Sequence, residues 1–213
     1  MKAFSNLLND LILTSSRNRK ISLLIEYFSS TPDPDRGYAL AALTGSLNFK
    51  NIKAAFFKEL VKEEQDEYLF DLSYDYVGDL AETVSLLWDK KNDGDLPSLS
   101  SLFDSLSKAK SEELKSNVTD ILDKSNADQR WAFIKLFTGG LRIGVSNRLV
   151  KQALSAYGNI DLNEIEKIWH GLALPYINLF AWLEKRDQKP KISFYDIFHP
   201  MMLAHPLVLE KDL

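Results

Sequence analysis

The chain has 213 residues, of which 45% are apolar and 26% charged, with a formal net charge of -4. This is the make-up of a folded globular protein and excludes collagen-like and disordered chains. No apolar run approaches the ~18 residues a bilayer-spanning helix needs, and the length allows one large domain or two small lobes.

Cysteine is absent, which removes disulfides, thiol nucleophiles and Cys-ligated metals from consideration. The N-terminus has apolar residues at helical spacing, broken by Asn9 and Asp10, and lacks the apolar run and cleavage site of a signal peptide. A cytoplasmic location without membrane contact is therefore expected.

Glycine and proline are missing from residues 1–31, 46–77 and 98–138, stretches far longer than a strand. Their apolar residues recur at three- and four-residue spacing. Leu7, Leu8, Leu11 and Ile12 form one stripe, and Ile21, Leu24, Ile25 and Phe28 the next. Ser15 or Ser16 caps that second helix. The turn Thr31-Pro32-Asp33-Pro34-Asp35 starts a third helix, with Tyr38 to Leu43 inside it. Phe49, Ile52, Phe56, Phe57 and Leu60 predict a further helix. Gly78-Asp79 opens a helix through Leu87 and Trp88. Asp93-Gly94-Asp95-Leu96-Pro97 reads as an exposed loop, and Ser98 caps the next helix. Ser125-Asn126-Ala127-Asp128 caps a helix holding Trp131, Ile134 and Phe137, which Thr138-Gly139-Gly140 ends. Val145, Leu149, Ala153, Leu154 and Tyr157 line the next, closed by Gly158. Asp161 caps a helix with Ile165, Ile168 and Trp169, and Pro175 separates it from one through Phe180 and Leu183. Beyond Lys189-Pro190 an extended segment is expected. The reading is an all-α protein of about twelve short helices in a two-lobed array.

Charge is distributed in blocks. Residues 1–58 carry +4 and residues 126–158 carry +4, while residues 59–95 carry -9. Solvated helix faces explain such blocks, and so does a protein with one basic face and one acidic back.

No catalytic constellation is evident. His170, His199 and His205 lack the spacing of a helical metal site. Lys91-Asn92-Asp93-Gly94 fits the Lys-x-Asp-Gly pattern of nucleotidyltransferases, but Asp89 and Asp93 would hold the lysine pKa up, not down, so a turn is the better reading. The most informative segment is Phe137-Thr138-Gly139-Gly140-Leu141-Arg142-Ile143-Gly144-Val145-Ser146, with three glycines in six positions between two helices. Paired glycines allow positive φ and a sharp reversal. Backbone N–H groups at the next helix start, with Arg142 and Ser146, suit a phosphate oxygen. A tight interhelical turn with an exposed arginine is the alternative. Ser15-Ser16-Arg17-Asn18-Arg19-Lys20 is a second basic helix start, and Asp75 to Leu80 holds a third glycine-bearing entry at Gly78.

The run Thr138 to Gly144 resembles the Gly-[Lys/Gly]-Leu-Arg-Ile-Gly signature in the N-terminal DNA-binding domain of ATP-dependent DNA ligases. Trp131 to Phe137 and Ser146 to Ala156 look like its flanking helices. Pro200-Met201-Met202-Leu203-Ala204-His205-Pro206 looks like the linker into the adenylation domain, with one extra methionine. Asp71 to Trp88 and Pro32 to Gly45 resemble a bacterial branch of the family.

The resemblance implies a helical domain over residues 1–190 and a linker over 191–213 that leads toward an adenylation domain. Such a domain grips the backbone and minor groove of nicked duplex DNA, together with the adenylation and oligonucleotide-binding-fold domains. The residues expected to touch DNA are Gly139, Gly140, Arg142, Gly144, Ser146, Arg148, Arg17, Arg19 and Gly78. Many relatives carry a lysine or arginine in the place of Gly140, which leaves one fewer cation here. The family's catalytic lysine lies beyond the linker, so the chain should neither use ATP and magnesium nor seal DNA alone. A monomer near the bacterial nucleoid is expected. The rival reading, from the acidic block, is a helical scaffold for protein partners without DNA contact.

Overall fold

Side-chain caps punctuate this chain more than glycine or proline does. Ser16, Asp66, Asp79, Ser98, Asn126, Ser146 and Asp161 each accept a hydrogen bond from a backbone N–H of the helix they precede. Each cap satisfies a donor that the first helical turn leaves open. At Asn126 the arrangement is reciprocal, because the Gln129 side chain accepts from the Asn126 backbone N–H in return.

A computed structural model describes residues 1–192 except Asn48, Lys50, Asn51, Lys90 and Asp93. The described residues form twelve α-helices. They are α1 Lys2–Leu13, α2 Arg17–Ser30, α3 Asp35–Leu43, α4 Ala54–Glu64, α5 Glu67–Val77 and α6 Leu80–Leu87. The second half holds α7 Leu99–Lys108, α8 Ser111–Lys124, α9 Ala127–Thr138, α10 Asn147–Gly158, α11 Leu162–Trp169 and α12 Ile177–Leu183. No helix among them is long and apolar enough to cross a membrane. The expected linker motif at 200–206, with His199 and His205, lies outside the described residues.

Several details differ from the sequence reading. Phe49 and Ile52 stand before α4, which begins only at Ala54, yet Ile52 is buried. Its apolar character reports burial of a loop and not helical phase. Ile12 is 47% exposed, so the α1 stripe ends at Leu11. Gly158 does not close α10. It is the last helical residue, and Asn159 makes the left-handed turn at φ +50°. Gly158 is small for another reason: a Cβ there would stand 2.8 Å from Leu183 Cδ2.

The helices sort into two groups around a shared core. In one, α9 packs on α6, α4 and α1, and α5 packs on α6 and α4. In the other, α10 packs on α2, α11, α12 and α3, and α3 on α7. Helix α1 touches both α9 and α2 and so joins the groups, with Phe4, Leu8 and Leu11 fully buried. Phe28 of α2 meets Phe180 of α12 at 5.4 Å between ring centroids, and Phe57 of α4 meets Phe133 of α9 at 6.1 Å. Such aromatic pairs add to the area they bury.

Two buried arginines bind the framework. Arg36 is 5% exposed. Its guanidinium donates to both Asp33 carboxylate oxygens (2.7 and 2.8 Å), to Phe28 O and Tyr157 Oη (3.2 Å each) and to Glu184. It also lies 4.3 Å from the Phe180 ring centroid. This ties α2, α3, α10 and the end of α12 together. Burial alone would lower the Arg36 pKa, but the two carboxylates outweigh it and raise it. Arg130 donates to Leu122 O (2.9 Å), Ser85 O (3.2 Å) and Trp88 O, and so closes the C-terminal ends of α6 and α8. Among the described residues no buried side-chain nitrogen or oxygen lacks a partner.

Candidate nucleic-acid interface

The segment between α9 and α10 reverses the chain within a few residues. Gly139 (φ +77°), Gly140 (φ +65°), Arg142 (φ +49°) and Gly144 (φ +66°) all take positive φ. Glycine adopts this backbone freely, whereas for an L-residue such as Arg142 it costs about 1–2 kcal/mol. Ile143 anchors the loop, only 4% exposed, while Arg142 stays outside.

Lys20 of α2 holds the loop from beneath. Its Nζ donates to Ile143 O (2.7 Å) and Gly144 O (3.1 Å), and the residue is buried. Gly144 must be glycine on two counts. Its φ is left-handed, and a Cβ would fall 2.5 Å from Lys20 Nζ. Lys20 therefore directs its charge at carbonyls of the protein and is not a freely presented cation.

The loop forms one wall of a cleft of about 1120 Å³. Opposite it run Ser15 and Arg17 at the start of α2 and Thr44, Gly45 and Leu47 after α3. Among the described residues, five basic ones line the cleft (Arg17, Lys20, Lys135, Arg142 and Arg148) and no acidic one does. Two helix N-termini open into it. Ser146 caps α10 by accepting from Leu149 N at 3.2 Å, which leaves its hydroxyl hydrogen free to donate outward. Arg17 reaches across from α2 to donate to Gln152 Oε1 of α10 at 2.7 Å.

Six of the twelve helices lack an acid in the first turn, and the two that open into the cleft are among them. Helices α3, α5, α6, α8, α9 and α11 each carry Asp or Glu in the first turn, as the helix dipole favours. Helices α2 and α10 carry none, and place Arg17, Arg19 and Arg148 there instead. A cation at a helix N-terminus costs the helix roughly 0.3–1 kcal/mol unless an anion joins it. Both positive ends thus converge on one cleft with no carboxylate lining it among the described residues, an arrangement suited to phosphate oxygens.

The structure gathers Arg17, Gly139, Gly140, Arg142, Gly144, Ser146 and Arg148 around the cleft and leaves two expected residues outside. Arg19 is turned away and pairs with Glu26 at 3.2 Å. Gly78 makes the left-handed end of α5 and lines no part of the cleft. Its neighbour Asp79 is connected: the carboxylate caps α6 and accepts from Lys135 at the cleft edge. Burial works to raise the Asp79 pKa, and the Lys135 hydrogen bond overcomes it and leaves the carboxyl below its usual value. Lys151, another helix α10 cation, faces Glu166 (3.9 Å) and the Trp169 ring instead.

Sequence reasoning missed Lys135, Gln152 and the Thr44–Leu47 wall as parts of the cleft. Gln152 lies four residues beyond Arg148, on the same face of α10, a spacing that could have shown it. Nothing local points to the 44–47 wall.

The family model described as DNA ligase N terminus matches residues 1–155. The chain belongs to this family. Comparison with curated proteins finds no match. In this DNA ligase N-terminal domain every residue lining the cleft, from Ser15 to Gln152, falls inside the matched stretch. Lys91 is held otherwise than a nucleotidyltransferase lysine would be. Its Nζ donates to Glu64 at 3.0 Å and lies 3.8 Å from Asp123, and the Glu64 hydrogen bond raises its pKa, which favours an ammonium over a nucleophilic amine.

Proposed function

We propose that this ligase domain grips the sugar–phosphate backbone of nicked duplex DNA in the cleft between the 139–148 loop and the start of α2. The observation that carries this reading is the pair of acid-free helix N-termini opening into a cleft that, among the described residues, is lined by Arg17, Arg142 and Arg148 and by no carboxylate. Backbone N–H groups, the Ser146 hydroxyl and the arginines bind phosphate oxygens along the minor groove. None of these contacts reads a base edge, so affinity is independent of sequence. The domain presents the duplex to the adenylation and oligonucleotide-binding-fold domains of the same ligase. ATP and magnesium act in those domains, and this chain alone seals nothing.

Fluorescence anisotropy with a labelled nicked duplex tests the reading. Binding at low salt is expected, nearly equal for unrelated sequences and falling steeply as salt rises. Absence of binding at low salt would sink it. Incubation with labelled ATP and magnesium is expected to leave no covalent label on the chain, and labelling of Lys91 would overturn the assignment of nucleotide chemistry elsewhere.

A further inference from the structure

The acidic block at 59–95 carries a second feature that the cleft does not use. Helix α5 buries only Phe70 and half-buries Ser73 and Tyr74. Its other side shows apolar residues to solvent: Tyr68 is 75% exposed, Leu69 52%, Leu72 52% and Tyr76 92%. Tyr68, Leu72 and Tyr76 recur at four-residue spacing, so they form one row along the helix. A second row, Glu67, Asp71 and Asp75, runs beside it at the same spacing, and all three are exposed. Lys62 answers part of this charge, donating to Glu67 and Asp71 at 2.9 Å each. No residue of α5 lines the basic cleft.

An isolated exposed leucine needs no explanation, but a row of Tyr68, Leu72 and Tyr76 with Leu69 beside it does. Tyrosine is a favoured anchor residue of protein interfaces. The neighbouring acid row states what the partner must carry. We infer that this face docks a basic amphipathic α-helix of a protein partner. Leucine-like side chains of that helix pack between Tyr68, Leu72 and Tyr76, and lysines or arginines on its edge meet Glu67, Asp71 and Asp75. The pairing of one apolar seam with a charged edge is how helices choose partners and orientation. Charge excludes the nearer alternatives. DNA and anionic lipid meet like charge here. The chain's own residues 193–213 carry Asp196, Glu210 and Asp212 against one lysine, Lys211, and do not complement the row.

The test uses the whole chain and a synthetic helical peptide of about four turns, with leucines along one face and lysines flanking them. Anisotropy is expected to show saturable binding, and the peptide of the same composition in scrambled order is expected not to bind. Replacing the apolar row (Tyr68→Ser, Leu72→Ser, Tyr76→Ser) should weaken binding about tenfold or more. Neutralising the acid row (Glu67→Gln, Asp71→Asn, Asp75→Asn) should weaken it several-fold and flatten its salt dependence. All six positions are exposed, so the thermal midpoint and the affinity for nicked DNA should be retained in both variants. Equal binding of the scrambled peptide overturns the proposal, as does absence of binding. Concentration-dependent self-association that the serine variant abolishes overturns it too, because the face would then belong to a second copy. Binding to zwitterionic vesicles through the same row would assign the face to lipid and overturn it as well.

Discussion

The junction around Arg36 and the cleft around Arg142 both place arginines where helices meet, and they use them in opposite ways. At the junction, Arg36 is buried and its donors go to Asp33, Glu184, Tyr157 and a main-chain carbonyl. At the cleft, Arg142 and Arg148 are exposed and have no ion-pair partner among the described residues. The first arginine is consumed by the fold. The others are left over for something the chain does not contain. Regional net charge cannot tell these apart, since both raise it by one. Burial and pairing can, and they separate arginines that stabilise from arginines presented to solvent.

Arg36→Ala should produce the largest effect and break the comparison if it does not. It leaves Asp33 and Glu184 with only the exposed Arg186 as a counter-ion and removes the link among α2, α3 and α12. The expected loss is about 3–5 kcal/mol in urea unfolding, as for other broken buried pairs. The DNA affinity of the molecules that remain folded should change little. Glu184 sharpens the same point through pH. The Arg36 hydrogen bond holds its carboxyl at about 2 against an ordinary 4.5. A carboxylate depressed on folding stabilises above its unfolded pKa and loses that contribution as pH falls toward the folded one. The thermal midpoint should therefore drop between about pH 4.5 and 2. Glu184→Gln should be less stable at neutral pH and lose less across that window.

Gly144→Ala strikes the point where fold and binding meet. It forces a left-handed alanine and presses a methyl on Lys20 Nζ. A stability loss of about 2 kcal/mol is expected, from the backbone penalty and the displaced lysine. DNA binding should fall with it because the loop moves. Unchanged stability would mean that Lys20 does not clamp the loop.

Much of this was legible in the sequence, and the reasons vary by element. Helix starts at Ser16, Asp79, Ser98, Asn126 and Asp161 were readable because capping is local chemistry. Asp66, which divides α4 from α5, was harder, because no glycine or proline marks the break. The 138–146 segment stood out because positive φ favours glycine. Arg142 at φ +49° did not, because an arginine carries no such mark. Which cations reach the cleft was not legible. Arg17, Arg19 and Lys20 lie within four residues, yet one lines the cleft and bonds Gln152, one pairs outward and one is buried under the loop. Helical phase and the distant loop carbonyls decide between them, and neither is written in a short basic run.

Arg142→Ala and Arg148→Ala should do the reverse of Arg36→Ala. Neither side chain supports the fold, so stability should stay within about 0.5 kcal/mol. Each removes one candidate phosphate contact, and each should weaken binding about equally on all sequences and lower the salt slope by about 1. A loss on one sequence only would point to base readout and a different docking geometry.

The smallest effect is expected at Arg19, and it is the most discriminating. Arg17→Ala and Arg19→Ala remove the same charge from the same turn of α2. If the cleft binds phosphate by contact, Arg17→Ala weakens DNA binding several-fold, since Arg17 lines the cleft beside α10. Arg19 faces Glu26 on the exposed side with its side chain 54% accessible. Exposed pairs of this kind contribute roughly 0–1 kcal/mol, so stability should barely move. Because Arg19 lines no part of the cleft and is paired with Glu26, the change in DNA affinity should stay within about twofold. Equal losses from the two variants in anisotropy at physiological salt would show that affinity follows the summed charge of the α2 start. The cleft would then be a region of positive potential and not a set of contacts, and the distinction between consumed and presented arginines would fail at the place where it is finest.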